Sequence, residues 1–345
     1  MSAPFSFTLP PELAANEPPE RRGLARDQVR LLVIDRARGE IKHTRFDRFA
    51  EFLRPGDLLV FNSSRTLPAS LSGCVERGPC IEIRLAEHLP DDSWLALLVC
   101  QRGDPFSCGL RPNSHIDLGE GLTAIINKRD ERIPRLWKLS FSKSGSELIN
   151  AFYRLGRPVR YEYVSAPWGL DYYQTVYAKE PGSAEMPSAG RAFTWKLLFD
   201  LKRRGIETAY IVLHTSLSSY LDDELDAQHP ASEEEYFVGQ RAAEKINSAH
   251  ASGSRVIAVG TTVVSETVCV ADVSQLALNL RPIRRQASIT PTGSRDAFDL
   301  LCFLQHAACF VGTAIQIAAV ADIRFQIAYS VAKIVDLFVN SIFTL

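Results

Sequence analysis

The sequence lacks the features that mark several common classes of protein. None of its seven cysteines belongs to a C-x-x-C pair, so we expect scattered thiols in a reducing compartment rather than a metal site or a disulfide framework. Lysine and arginine number 39 against 40 aspartates and glutamates, a net charge of −1 that gives no general attraction for nucleic acid. Any RNA site must therefore be a local patch. The cysteines are Cys74, Cys80, Cys100, Cys108, Cys269, Cys302 and Cys309.

Two further features are absent from the sequence, and each absence excludes a class of protein. No G-x-G-x-x-G motif occurs, so a Rossmann-type nucleotide site is not supported. The proline-rich N-terminus has no basic segment followed by an apolar one, and so we expect a cytoplasmic protein without a signal peptide. The 345 residues are 46% apolar and 23% charged, as in a soluble globular protein of one large or two ordinary domains.

A loop of small residues precedes the clearest helical pattern of the chain. Phe193, Leu197 and Leu201 recur at a spacing of four and predict a helix over residues 192–204, which Gly205 ends. Such a loop leaves free backbone N–H groups at the N-terminus of the helix and suits a polar or anionic ligand group. A well-capped connector without a ligand explains the same pattern.

Polar residues follow two apolar runs that we interpret as strands. Residues 58–61 lead to Asn62 and Arg65, and residues 206–213 lead to His214. Ligands of α/β sheets bind where strands end, so that His214 is a candidate to titrate or to hydrogen-bond a substrate. The Arg65 guanidinium matches a phosphate or a carboxylate. The alternative for the loop after Asn62 is a hydrogen-bonded bridge between two domains.

Other patterns in the sequence mainly predict secondary structure. Residues 29–35 predict a buried strand, and Ser232 with Glu235 forms a capping box that predicts a helix to about Ser252. Glu235 then either caps this helix or contacts substrate. Between residues 71 and 160, short apolar runs alternate with turn residues and predict an antiparallel barrel or sandwich. Nothing in that region calls for catalysis, and we expect His88 and His115 at the surface.

These motifs together resemble a known family, the S-adenosylmethionine:tRNA ribosyltransferase-isomerases of queuosine biosynthesis. The resemblance covers about 240 of the 345 residues. Residues 173–182 match its Y-Q-T-V-Y-x-x-x-P-G signature, residues 255–262 copy its R-V-x-A-V-G-T-T, and residues 56–69 are similar to its G-D-L-L-V-x-N-x-T/S-R-V-x-P-A. The chain departs from the pattern at Arg191-Ala192, where the family has Leu-His, and at residues 215–219, where family glycines are absent. It therefore resembles a divergent paralogue.

The resemblance implies a fold and an activity. The fold is an α/β (α+β) domain, residues 1–65 and 161–345, with an antiparallel β-barrel domain inserted at 66–160. The enzyme transfers and isomerises the ribosyl moiety of S-adenosylmethionine, a co-substrate, onto the 7-aminomethyl-7-deazaguanine base in the tRNA anticodon region. Epoxyqueuosine-tRNA forms, and adenine and methionine leave. No metal is implied, and we expect a monomer without membrane contact.

The same resemblance assigns candidate roles. Catalytic proton handling falls to His214 and Glu235. The predicted substrate-binding residues are Asn62, Ser64, Arg65, Tyr173, Gln174, Tyr177, Pro187, Ser188, Ala189, Gly190, Tyr236, Gly260, Thr261 and Thr262. The alternative, because motifs are altered, is a non-catalytic or re-targeted paralogue that binds a nucleoside, S-adenosylmethionine or RNA. A third reading is an inactive, misfolded product.

Beyond about Thr267 the resemblance ends. Residues 296–345 carry few charges, and residues 300–321 carry none. A diverged apolar packing segment or a change of reading frame explains this composition, and a membrane anchor ranks third.

Overall fold

A computed structural model gives the architecture of the chain. It describes residues 15, 17–35, 38–100, 109–161, 164, 166–222, 225–226, 234–264 and the backbone of 283–285. The expectations for residues 265–282 and 286–345, for Ser232 and for Cys108, Cys269, Cys302 and Cys309 lie outside these ranges.

The chain forms fifteen described strands, three α-helices and several short 3-10 segments. The strands are β1 Arg30–Asp35, β2 Glu40–Arg45, β3 Leu58–Asn62, β4 Ser64–Thr66, β5 Ser70–Val75, β6 Cys80–His88, β7 Trp94–Cys100, β8 His115–Gly119, β9 Leu122–Arg129, β10 Leu136–Phe141, β11 Glu180–Ser183, β12 Glu207–Leu213, β13 Glu234–Phe237, β14 Val256–Val259 and β15 Ile283–Arg285. The helices are α1 Gly145–Leu155, α2 Trp195–Arg203 and α3 Gln240–Ala251. The 3-10 segments are Pro19–Arg22, Arg26–Gln28, Phe46–Phe52, Leu170–Tyr173 and Ser188–Gly190.

A mixed five-stranded sheet in the order β14-β3-β12-β13-β15 forms the main domain. Strand β3 pairs in parallel with both β12 and β14 and is buried along its whole length. A strand covered on both faces reads as a continuous apolar run, which is why residues 58–61 were recognisable. Leu197 and Leu201 of α2, with Phe193 just before the helix, cover one face, and α3 covers the other through Ile246 and small residues.

A closed barrel of six antiparallel strands, in the order β10-β7-β6-β5-β8-β9, forms the second unit. Burial alternates along β8 and β9, as it must when one face of each strand lines the barrel interior. The predicted fold class, an α/β domain with an antiparallel β-barrel, is confirmed. All barrel strands lie within the predicted insert 66–160, whose boundaries stay a prediction. No helix in the described ranges has the length and apolarity needed to cross a bilayer.

The structure corrects four local predictions. Residues 30–35 form a strand, but within the described residues β1 pairs with β2 alone, and only Leu31 of its six residues is fully buried. Helix α2 begins at Trp195, since the Thr194 hydroxyl accepts from the Leu197 N–H at 3.1 Å and caps it there. Cys74 and Cys80 are register partners on β5 and β6 and form a disulfide rather than free thiols.

The fourth correction concerns the capping box. Glu234–Phe237 is strand β13, so Glu235 caps no helix, and α3 begins only at Gln240 after Gly239. Pairing of Leu213 with Tyr236 in the sheet outweighs the local sequence signal.

A buried ion pair ties the N-terminal segment to the loop before α2. The Arg191 side chain is 5% exposed, donates from Nη2 to both Glu20 carboxylate oxygens at 2.9 and 3.1 Å, and donates from Nε to the Tyr172 carbonyl at 2.7 Å. Burial acts to raise the pKa of Glu20, but the hydrogen bond and charge of Arg191 outweigh it, so the pKa lies below its ordinary value of 4.5. The pair therefore stabilises the fold above pH 4.5, and this contribution is lost as the pH falls through the lowered pKa.

Replacing Glu20 with glutamine is expected to lower the free energy of unfolding by about 3 kcal/mol, because a buried guanidinium loses its counter-charge. This is the lower end of the range for buried pairs, since Glu20 keeps 29% of its side-chain exposure. Urea denaturation at pH 7 measures the change. Glu51→Gln, which breaks the exposed pair with Arg48, is the control and should change stability little. Equal effects of the two variants would contradict the assignment.

Candidate active site

The carboxyl ends of β3 and β12 bring His214 and Ser64 together. The Ser64 hydroxyl lies 2.7 Å from His214 Nδ1 and 2.6 Å from the Ser183 hydroxyl. Ser183 Oγ in turn accepts from the Thr215 N–H at 3.1 Å. Each hydroxyl both donates and accepts, so this chain supports either neutral tautomer of the imidazole and lets Nδ1 hold or release a proton.

Gly182 on β11 fixes the other side of the imidazole. A Cβ atom at this position would lie 2.5 Å from the Cγ, Nδ1 and Cε1 atoms of His214, far inside van der Waals contact. The ring therefore packs flat against the Gly182 backbone. Serine on one side and glycine on the other hold the imidazole in one orientation.

The surroundings keep His214 neutral at pH 7. Burial lowers the pKa of His214 below its ordinary 6.5, and the nearby charge of His88 adds to this. The carboxylates of Glu235 and Glu180 act in the opposite direction but do not compensate. A neutral imidazole that is held in place can accept a proton.

A pocket of about 200 Å³ opens beside His214 between the sheet and the barrel. Three carboxylates and two imidazoles line it. The main domain contributes Gly182, His214, Ser216 and Glu235, α1 contributes Leu148 and Ile149, and the barrel contributes Glu87, His88, Asp92 and Trp94. The site is therefore acidic and is built from both domains.

The contribution of the barrel was missed by sequence reasoning. His88 was expected at the surface, and its side chain is 40% exposed, but it lines the pocket. It bonds Asp92 through Nε2 at 3.0 Å and contacts Trp94 at a tilt of 34°, with ring centroids 4.7 Å apart. No local motif marks these residues. His115 is exposed, as expected.

Glu235 reaches the site by strand pairing. Its carbonyl accepts from the His214 N–H at 2.9 Å, and its side chain lines the pocket. Tyr236 follows as the register partner of Leu213. The two predicted catalytic residues are thus neighbours in the structure, while their roles stay predictions.

Two of the predicted binding loops, which contain Ala189 and Gly260, lie against each other. A Cβ on Gly260, which has φ +95°, would lie 3.0 Å from the Cβ of Ala189, and one on Gly190 would lie 1.8 Å from the Tyr177 hydroxyl. Tyr177 is buried, which raises its pKa well above the ordinary value. The 3-10 segment 188–190 follows Pro187, and the helical turn 261–264 contains Thr261 and Thr262. None of these residues lines the pocket of His214.

Two other candidates, both amides, make hydrogen bonds within the protein. Asn62 is 2% exposed and bonds the Leu213 backbone twice, through Nδ2 at 2.8 Å and Oδ1 at 3.0 Å. In the same way, Gln174 Nε2 donates to the Thr66 carbonyl at 2.8 Å, and its Oε1 accepts from the Thr66 N–H at 3.1 Å. These amides join the strand ends that carry the site. Arg65 is exposed above the Tyr153 ring. Tyr173 is partly buried, which raises its pKa.

No motif indicated a second hydrogen-bonded cluster, which the Glu185 carboxyl forms with Tyr161 and Ser218. Glu185 accepts from the Tyr161 hydroxyl and from the Ser218 N–H and hydroxyl, the latter two at 2.7 and 2.9 Å. Burial raises the pKa of Glu185 although these hydrogen bonds oppose the shift. The cluster joins the loop after β11 to the loop after His214. Within the described ranges, no group of three or more His, Cys, Asp or Glu side chains is arranged to hold a metal ion.

Ser64→Ala is expected to reduce turnover about tenfold, because the imidazole loses one of the two contacts that orient it. Ser63→Ala is the matched control, since Ser63 is also buried and its hydroxyl bonds only the Ile211 carbonyl, at 2.9 Å. Ser64→Ala loses the hydroxyl contacts with His214 and Ser183, whereas Ser63→Ala loses one buried hydrogen bond, so thermal denaturation of both variants shows how much of any fall in turnover comes from lost stability. Turnover that falls equally in both would show that Ser64 has no particular role at His214.

A mixed α/β sheet, a barrel and a histidine oriented in the pocket between them define an α/β enzyme with a barrel insertion. A sequence model described as queuosine biosynthesis protein matches residues 2–301. The chain belongs to this family, which confirms the resemblance seen in the motifs.

Individual relatives carry more specific names. The chain is 38% identical over 276 residues to the S-adenosylmethionine:tRNA ribosyltransferase-isomerase of Carboxydothermus hydrogenoformans, across 79% of this chain and 78% of that protein. It is 35% identical over 268 residues to the enzyme of the same name from Thermotoga maritima, across 75% and 74%. A crystal structure of the S-adenosylmethionine tRNA ribosyltransferase from Thermotoga maritima covers 83% of this chain and 77% of its own, with 26% identity and a TM-score of 0.35.

Proposed function

We propose that this protein transfers and isomerises the ribosyl moiety of S-adenosylmethionine onto the 7-aminomethyl-7-deazaguanine base of tRNA. The products are epoxyqueuosine-tRNA, adenine and methionine. The names of the relatives and the family membership support the substrates. The observation that carries the chemistry is a neutral, oriented imidazole in an acidic pocket.

The acidic pocket suits the charge of the substrates. S-adenosylmethionine carries a sulfonium cation, and the aminomethyl group of the acceptor base is an amine. Asp92 and Glu235 supply negative charge on the pocket wall, which favours cationic groups in a site that is partly removed from water, while the charge of Glu87 is offset by Arg132 at 3.5 Å.

The imidazole provides the proton acceptor that the reaction requires. The sulfonium acidifies the adjacent ribose carbon, and neutral His214 takes the proton from it. Glu235, on the neighbouring strand, handles the proton of the attacking amine. The loops that contain Ser188, Gly190 and Thr261 bind the remaining parts of the two substrates. The protein works in the cytoplasm as a monomer on the anticodon region of tRNA.

A tRNA-dependent release of adenine tests the proposal. Purified protein is incubated with S-adenosylmethionine and tRNA that carries the unmodified precursor base, and free adenine is quantified by chromatography. We expect adenine only when both substrates are present. If properly folded protein released no adenine with both substrates present, the proposed activity would be refuted.

A binding paralogue is the second candidate, favoured by one observation. Ala192 occupies the position of the histidine in the family motif and is buried, so no imidazole is available there. Such a paralogue would be stabilised against heat by S-adenosylmethionine or by RNA without releasing adenine. The same samples, followed by a thermal shift assay, distinguish the two candidates.

A further inference from the structure

Helix α2 exposes two aromatic rings side by side. Trp195 is 51% exposed and Phe199 is 57% exposed, and their rings stack with centroids 6.0 Å apart at an angle of 27°. The opposite side of the helix, with Leu197 and Leu201, is buried against the sheet. Large aromatic rings that contact each other on a solvent-exposed surface indicate an interaction site.

Basic side chains surround these rings. Lys196, Lys202, Arg203 and Arg204 are all exposed, and Asp200 pairs with the two arginines at 3.3 and 2.8 Å. Four positive charges against one negative leave a local excess of three, on a chain whose net charge is −1. Lys196 and Lys202 have no ion pair within the described part of the chain.

The helical period places these residues on one face. At 100° per residue, positions 195, 196, 199, 202 and 203 span about a third of the circumference. We call Trp195, Lys196, Phe199, Lys202 and Arg203 the α2 outer face. The chain reverses direction at Gly205, so α2 runs antiparallel to β12. The Trp195 end of the helix therefore lies toward the carboxyl end of β12, which His214 follows. Trp195 is thus at the end of the helix nearest the candidate active site, and Phe199 lies about one turn further along.

We infer that the α2 outer face binds unpaired nucleotides of the tRNA next to the base that enters the pocket. Bases stack on Trp195 and Phe199, and the phosphates between them contact Lys196 and Lys202. Aromatic rings interleaved with cations form the usual surface for single-stranded nucleic acid, because every base has a face that stacks. This inference rests on the proposed function for the identity of the RNA.

The test measures RNA affinity directly. Trp195→Leu/Phe199→Leu removes both rings but keeps apolar side chains, and Trp195→Phe/Phe199→Tyr keeps both rings. With a fluorescent anticodon stem-loop of the tRNA, anisotropy should give a dissociation constant that is at least about tenfold weaker for the leucine pair and little changed for the aromatic pair. Ultraviolet crosslinking followed by mass spectrometry should place the RNA on the peptide that contains Trp195.

The charges are tested by salt dependence. Lys196→Gln/Lys202→Gln should reduce the slope of log affinity against log salt by about 1.4, or 0.7 per phosphate contact with a single strand. Arg241→Gln, an exposed residue near the start of α3 on the other face of the sheet, is the control and should leave the slope unchanged.

Wild-type affinity in the leucine pair would overturn the inference. So would sedimentation showing that the rings join two copies of the chain, with RNA binding unaffected. Adenine release separates this inference from the proposed function. RNA binding through α2 without adenine release would refute the proposed reaction only, and adenine release with an unchanged KM for tRNA in the leucine pair would refute the α2 surface only.

Discussion

Replacing Gly182 with alanine is expected to lower the rate of tRNA-dependent adenine release by about a hundredfold or more. The added methyl group would lie 2.5 Å from three atoms of the His214 ring, so the imidazole must move. A displacement of about 1 Å at a catalytic group can reduce the rate by about that factor. The Gly182 backbone is not in the left-handed region, and so the substitution itself introduces no conformational strain.

The control for this substitution is Gly239→Ala. A Cβ at Gly239 would lie 3.5 Å from the Phe237 ring, which is ordinary van der Waals contact, and its φ of −68° suits alanine. Initial rates under single-turnover conditions, with circular dichroism to check the fold, compare the two variants. Full activity of folded Gly182→Ala would show that the position of the His214 ring does not matter for turnover.

His214→Gln is expected to lower the same rate by about a hundredfold to ten-thousandfold, the usual contribution of a general base. Glutamine retains hydrogen-bonding capacity toward Ser64 but cannot take up a proton. His115→Gln, at an exposed barrel position, is the control and should retain wild-type turnover.

The pH dependence follows from the same residue. Because burial lowers the pKa of His214 below 6.5, the imidazole is neutral at pH 7, and the wild-type rate should fall only as the pH drops through that lowered pKa. The folded protein also binds fewer protons than the unfolded chain in this window, so its stability declines as the pH falls below 6.5. In His214→Gln both of these pH dependences should be lost, and an unchanged acid limb in its residual rate would exclude His214 as the base.

The main sheet was predictable because its signals are local. Strand β3 is buried along its whole length and is therefore a continuous apolar run up to Asn62, and β12 ends in the apolar residues 211–213 just before His214. The barrel strands were predictable by the alternation of short apolar runs with turns. The family motifs then added the identity of the candidate residues.

The features that were missed depend on contacts between distant parts of the chain. Glu20 and Arg191 are 171 residues apart, and His88 reaches the pocket only because the barrel lies against the sheet. The disulfide of Cys74 and Cys80 requires the register of β5 and β6, which no spacing rule gives. Gly182 stood within a recognised motif, but its purpose became clear only when His214 was placed beside it.

The most direct test of the account is mass spectrometry of the tRNA itself. Precursor tRNA is incubated with S-adenosylmethionine and either wild-type protein or Gly182→Ala, digested to nucleosides and analysed. We expect the wild type to convert the precursor nucleoside into epoxyqueuosine and the variant to convert scarcely any. An unchanged precursor nucleoside after incubation with folded wild-type protein would contradict it.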